Sequence, residues 1–227
     1  MNLRPLLITN GVLIAAMAGM SAWVWQSIPD GAHLPLHWNI DGQADRFGSK
    51  IEALVFLPAI ALLVTLVMWG VPRIDPRRNN IAASSKFWIA TGIGVVALLA
   101  YVHVLMVLNA IGRPVDVGGY MIPALSILFI VIGNYLSKTR SNWFGGVRTP
   151  WTLSSDYSWS KTHRLASRLF VGSGLLTLAV WLGVGTKIAI FVLVGTLLAT
   201  ALISVAASYV YWKNDPARGS AAANGEA

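Results

Sequence analysis

The sequence predicts an all-α integral membrane protein: six transmembrane helices, both termini cytoplasmic, one ordered outer loop and one ordered inner interfacial loop and helix. Three observations carry that reading. The chain of 227 residues holds 17 Lys+Arg and 9 Asp+Glu, yet leaves six charge-free stretches of 25, 20, 26, 21, 18 and 25 residues. Hydrophobic residues make up 56% of it and charged residues 11%, with mean hydropathy +0.63, which is outside the range of soluble domains. The cations are also unevenly shared between alternate loops.

A helix needs about 20 residues at about 1.5 Å each to cross a hydrocarbon core of about 30 Å. The stretches therefore read as spans near 5–28, 53–71, 87–111, 118–136, 169–185 and 188–212. The fifth is the shortest and is expected to gain length from a polar helical turn before it, with Arg168 snorkelling to the headgroups. With Met1 inside, 13 of the 17 cations fall on inner segments, and only Arg46, Lys50, Arg113 and Lys187 fall outside, which sets the expected orientation. The net charge of +8 is then a topology and lipid signal, and nucleic acid is not an expected partner.

The N-terminal stretch imitates a secretory signal, with Arg4, an apolar run and Ala16-Met17-Ala18. It is read as an uncleaved first span because Trp23, Val24 and Trp25 prolong the run. Cys is absent, so no disulfide framework, thiol nucleophile or Cys-based metal site arises; separately, no cofactor is expected. The organisation expected is a two-span region over 1–80, a four-span region over 81–213 and a disordered tail over 214–227. Loop 72–86 reads as plain, with Arg77-Arg78 an orientation anchor.

Loop 29–52 concentrates Pro29, Pro35, His33, His37, Trp38, Asn39, Asp41 and Asp45, and is expected to hold a fixed shape over the outer helix ends. Asp41-Gly42 is a turn dipeptide. Zinc is disfavoured because Pro35 keeps His33 and His37 off one helix face. Calcium is disfavoured because His37 and Gly48 would fill the first and twelfth ligand places of a calcium loop.

Loop 137–168 contains Asn142-Trp143-Phe144-Gly145-Gly146-Val147-Arg148-Thr149-Pro150-Trp151-Thr152 and should lie against the membrane or the bundle. Gly145-Gly146 permits a tight turn, Thr149 is extended before Pro150, and Ser154 or Ser155 caps a helix with Asp156 in its first turn. On that helix Lys161, Arg164 and Arg168 form a cationic stripe, while Trp159, His163, Ala166 and Phe170 share another face. The spacing fits a basic helix on anionic lipid as well as a partner-binding surface. Arg148, Thr152, Thr162 and His163 supply the groups for a polar network under Trp151.

Segment 142–164 resembles the hallmark loop of SdpI-type immunity proteins, and the outer Pro35-Leu36-His37-Trp38-Asn39, with Gly42, Asp45 and Ser49-Lys50, resembles the domain of unknown function that often precedes it. The resemblance implies a bacterial cytoplasmic-membrane protein, without known catalysis, that protects its host from a secreted membrane-damaging peptide of the SdpC kind. It also implies signalling, in which the toxin-engaged protein holds a small autorepressor at the membrane. By resemblance the functional positions are Asn142, Gly146, Arg148, Thr149, Pro150, Trp151, Thr152, Trp159, Thr162, His163 and Arg164 inside, and Pro35, His37, Trp38, Asn39, Gly42 and Asp45 outside.

Two other function classes are weaker. A transporter needs ionisable groups inside its spans, and only His103 qualifies; it reads as a neutral histidine bonded to another helix, with Asn10, Asn109 and Asn134 as candidate partners. A membrane enzyme would use His163 with Thr152, Thr162 or Asp156, but adjacent helical residues point about 100° apart, which separates Thr162 from His163. The pairs Ala15/Gly19, Ala90/Gly94 and Gly195/Ala199 read as bundle packing.

Overall fold

A computed structural model describes residues 1–218. Its elements are α1 Arg4–Trp25, β1 Leu34–Trp38, β2 Ala44–Gly48, α2 Lys50–Ile74, α3 Arg78–Ala83, α4 Ser85–Ala110, α5 Val117–Leu136, α6 Pro150–Ser154, α7 Asp156–Gly183 and α8 Thr186–Lys213. The six helices α1, α2, α4, α5, α7 and α8 are each long and apolar enough to cross a membrane. The fifth, α7, runs from Asp156 through the cationic turn into the apolar stretch, as its sequence requires.

The expectation of an all-α chain fails at the outer loop, where β1 and β2 form an antiparallel hairpin. Asn39 Oδ1 accepts from the backbone N–H groups of Asp41 and Gln43, and Gly42 takes φ 77°, so the Asn39–Gln43 turn closes itself. Ser49 then caps α2 through a capping box with Glu52, which moves the helix start ahead of the expected span.

Helices α1, α2 and α4 pack together, α5, α7 and α8 pack together, and the α4–α5 contact joins the two groups. Thus α4 belongs spatially with the first two spans. Between α7 and α8 the contact is hydroxyl-rich: Ser173 meets Thr200 at 3.4 Å, and Ser158 donates to the Ser208 carbonyl at 2.8 Å. In hydrocarbon such side chains link helices that apolar burial cannot drive together.

His103 is fully buried, and its Nε2 lies 3.0 Å from Ser21 Oγ and 3.2 Å from the Met17 carbonyl. The candidate partners among the asparagines are therefore replaced by Ser21: Asn10 donates to Thr65, and Asn109 to the Leu105 carbonyl of its own helix. Of the small-residue pairs, Ala15/Gly19 and Gly195/Ala199 face outward, and only Gly94 meets a neighbour, Leu128. The close approach instead uses Gly133 and Gly174, where a Cβ would come 2.9 Å from Phe170 and 2.6 Å from the Ser126 carbonyl, respectively.

The hairpin touches the N-terminal ends of α5 and α8: Lys187 pairs with Asp41 at 2.6 Å, and Gly42 approaches Asp116. Segment 137–155 meets the C-terminal end of α8 instead, so the two built loops lie at opposite ends of the bundle. Residues 219–227 of the expected tail lie outside the described residues, and its front is held, with Ser155 donating to Asp215 at 2.6 Å. Because α5 and α7 touch backbone to backbone, Gly174→Val should cost about 1–3 kcal/mol through overpacking, read as a lowered thermal midpoint in detergent. Gly172→Val, where a Cβ meets open space, should leave the midpoint unchanged.

Candidate functional site

Segment 137–155 is a strap that leaves α5, turns back and enters α7. Its turn is built by Asn142, whose Oδ1 accepts from the N–H groups of Phe144 and Gly145 at 3.0 and 2.7 Å, while Nδ2 donates to the Arg140 carbonyl. Gly145 fits against the Phe87 ring, which a Cβ would approach to 3.2 Å. Gly146 takes φ 103° and presents its bare backbone to His163, since a Cβ there would sit 2.3 Å from Nε2.

The fully buried His163 is the pivot of the strap. Its Nε2 accepts from the Val147 N–H at 3.0 Å and its Nδ1 donates to the Trp159 carbonyl at 2.8 Å. Only the neutral Nδ1–H tautomer makes both bonds, and it leaves neither ring nitrogen free. Trp159 stacks on the ring at 4.0 Å between centroids and donates from Nε1 to the Thr139 carbonyl, fixing the other end of the strap.

Thr149 is extended before Pro150, as expected, and caps a short helix the sequence reading did not foresee, α6. Thr149 and Thr152 form its capping box, and Thr152 Oγ1 lies 2.8 Å from the Val147 carbonyl. The backbone of Val147 is thereby held on both sides, by His163 and by Thr152. Thr149 Oγ1 meets Ser208 Oγ at 3.0 Å, and Ser155 caps α7, which locks α6 and α7 onto α8.

The remaining predicted residues separate into exposed and buried groups. Arg148 points outward and donates to the Trp143 carbonyl at 2.6 Å, while Trp143 and Phe144 are 46% and 42% exposed. Arg164 is exposed and bonds Ser160; Pro150 is exposed. Trp151 meets Tyr209 edge-on at 5.2 Å, so the expected network lies under Trp159 instead of Trp151. Thr162 is buried with Oγ1 unpartnered, outside that network. Neither Thr162 nor Thr152 bonds His163, and Asp156 is exposed, so the nucleophile–base pairing considered above is not assembled.

Loop 72–86, read as plain, supplies the missing buttress. Asp75 is buried and accepts from the N–H groups of Arg77 and Trp143, at 2.6 and 3.0 Å. Arg77 bonds Ser141 Oγ and the Leu153 carbonyl, and Asn80 donates to the Ser141 carbonyl at 2.7 Å. Ser84 accepts from the Arg140 N–H at 2.8 Å. These partners lie more than 50 residues away along the chain, so nothing local in the sequence announced them.

At the opposite end the outer candidates all gather in the hairpin. Pro35 faces Phe47, Trp38 faces Ala44, and His37 Nδ1 lies 2.6 Å from Asp45 Oδ1 across the strands. Asn39 and Gly42 make its turn. Trp38 also packs on the apolar cluster around Val24, Leu54 and Met106, and Lys50 sits buried over the Trp25 ring with its Nζ 2.9 Å from Asp30.

Fold and site together define a multi-pass helical membrane protein with a hairpin at one end of its bundle and a histidine-pinned strap at the other. The profile described as SdpI/YfhL protein family matches residues 138–208, which span the strap, α7 and most of α8. The profile for the domain of unknown function DUF1648 matches residues 12–62, which span most of α1, the hairpin and the start of α2. The chain is also 24% identical over 203 residues to Immunity protein SdpI of Bacillus subtilis (strain 168), covering 89% of this chain and 94% of that relative. By these matches residues 138–208 are similar to the SdpI family and residues 12–62 to the DUF1648 domain, in the order strap after hairpin. No solved structure matches it.

Since Gly146 combines a left-handed φ with contact to His163, Gly146→Ala should cost about 1–3 kcal/mol. Limited proteolysis should then cut the strap before the helices, whereas Arg148→Ala should leave the cleavage pattern as in the parent protein.

Proposed function

We propose that this chain is an immunity protein of a bacterial cytoplasmic membrane, protecting its host from a secreted, membrane-active peptide toxin of the SdpC kind. The observation that carries this reading is the alignment with an immunity protein over nearly the full length of both chains. In this reading both termini are cytoplasmic, because the two loops at the strap end and the two terminal segments together hold 13 of the 17 cations. The hairpin then faces outward, where the toxin arrives, and its exposed Phe47 and Ile40 beside His37 and Asp45 form the contact surface.

The strap faces the cytosol. Its buried residues, Thr149, Thr152, Trp159 and His163, are its scaffold, and the exposed Trp143, Phe144 and Arg148 are the surface offered to a small repressor protein. An aromatic pair beside an arginine is the composition that dominates binding energy at protein interfaces. The transport and enzyme readings gain no supporting contact: His163 is engaged at both nitrogens, and His103 is bonded between helices.

Expression in a toxin-sensitive bacterium should raise survival under toxin challenge at least about tenfold, and unchanged killing by a toxin active on that host would contradict the proposal. Phe47→Ala with His37→Ala should remove protection, while Arg148→Ala with Trp143→Ala should preserve survival and abolish induction of a reporter under the repressor.

A further inference from the structure

At the strap end a cavity of about 410 Å³ opens between the C-terminus of α5, the start of the strap and the first turns of α7. Lys138, Arg140 and Arg164 line it with one carboxylate, Asp156, and the hydroxyls of Ser137 and Ser160. Among the described residues none of these three cations takes part in an ion pair. Two of them are positioned by their side chains, Arg164 bonded to Ser160 Oγ at 3.0 Å and Lys138 Nζ 5.1 Å from the Tyr135 ring, and the backbone of Arg140 is fixed by its N–H bond to Ser84. The cavity thus offers excess positive charge and hydroxyl groups to an anion.

Below it lies an apolar groove on the outer side of the α4–α5 contact. Two adjoining depressions share Gly94 and Val131 and extend from Tyr101 and Ile127 at one end to Asn134 and Tyr135 at the other. On α5, Ile127, Val131 and Asn134 follow at i, i+4 and i+7, one face of the helix, and Lys138 stands two residues beyond its end, at the cavity. From Ile127 to Leu136 the helix rises about 14 Å, at about 1.5 Å per residue. That is one leaflet, half of a hydrocarbon core of about 30 Å.

We propose that cavity and groove together seat one anionic glycerophospholipid, its phosphate among Lys138, Arg140 and Arg164 and an acyl chain along Val131 and Gly94. A free phosphate would use only the cations and leave the groove empty; a zwitterionic lipid would use the groove and gain little from the unpaired charge. The joint presence of both features selects the anionic lipid. The site stands apart from the immunity reading, because it rests on the α4–α5–α7 surface and on no contact assigned to toxin or repressor.

The test is native mass spectrometry of the full-length protein in neutral detergent with equal amounts of phosphatidylglycerol and phosphatidylcholine of the same chains. One phosphatidylglycerol should be retained with a preference of at least about tenfold, and excess inorganic phosphate should not displace it. Replacing Lys138, Arg140 and Arg164 by Gln should erase the preference. Ala97→Phe, which fills the groove and leaves the cations in place, should reduce retention about tenfold. Equal retention of the two lipids by the unaltered protein, displacement by inorganic phosphate, or retention unchanged in either variant would overturn the proposal. The comparison of lipids on the unaltered protein decides even if a variant fails to fold.

Discussion

A hydrocarbon layer offers no partner to a peptide N–H or carbonyl, and that constraint arranges the whole molecule. Inside the layer only helices satisfy their own backbone, so all irregular and strand structure is expelled to the two ends of the bundle. The hairpin follows the first of the six long apolar helices and the strap follows the fourth, one odd and one even position, so the two segments emerge at opposite ends of the bundle. Each end then solves the same problem of backbone satisfaction with local devices. At one end Asn39 and the strand pairing do so; at the other, Asn142, two threonines and His163.

The strap shows how much of a motif is scaffold. His163 is buried, neutral and bonded to one backbone N–H and one backbone carbonyl, and Gly146 is bare because the ring needs its space. A buried N–H left without its acceptor costs about 1–3 kcal/mol, so the histidine is a structural requirement wherever the strap takes this path. What a partner can reach is the rim, Trp143, Phe144 and Arg148. The same end carries the cations of the proposed lipid cavity. The proposed docking rim and lipid cavity therefore share one strap, held by the Asp75–Arg77 buttress on one side and by α8 on the other.

The spans were legible because they rest on a property of whole segments, charge exclusion over about 20 residues, which no single contact overrides. The cationic and aromatic stripes of α7 were legible for a similar reason: helical periodicity put Trp159, His163 and Ala166 on one face, and that face is the buried one. At the hairpin Asp41-Gly42 marked the turn but not the strands beside it, and the Ser49–Glu52 capping box was a local signal of where α2 starts. The Asp75, Arg77, Asn80 and Ser84 contacts had none, because they join segments separated by 56 to 76 positions. For His103 the helical pattern fixed its burial but not its partner, since Ser21 lies on a helix whose rotation no local pattern sets.

The absence of cysteine from the chain makes its sidedness directly measurable. Single cysteines at Phe47, in the hairpin, and at Phe144, in the strap, occupy exposed positions at the two ends. With a membrane-impermeant maleimide on intact cells, the Phe47→Cys protein should be labelled at once and the Phe144→Cys protein only after permeabilisation. Labelling of both from the same side would contradict the six-crossing arrangement and with it the assignment of an outer and an inner surface.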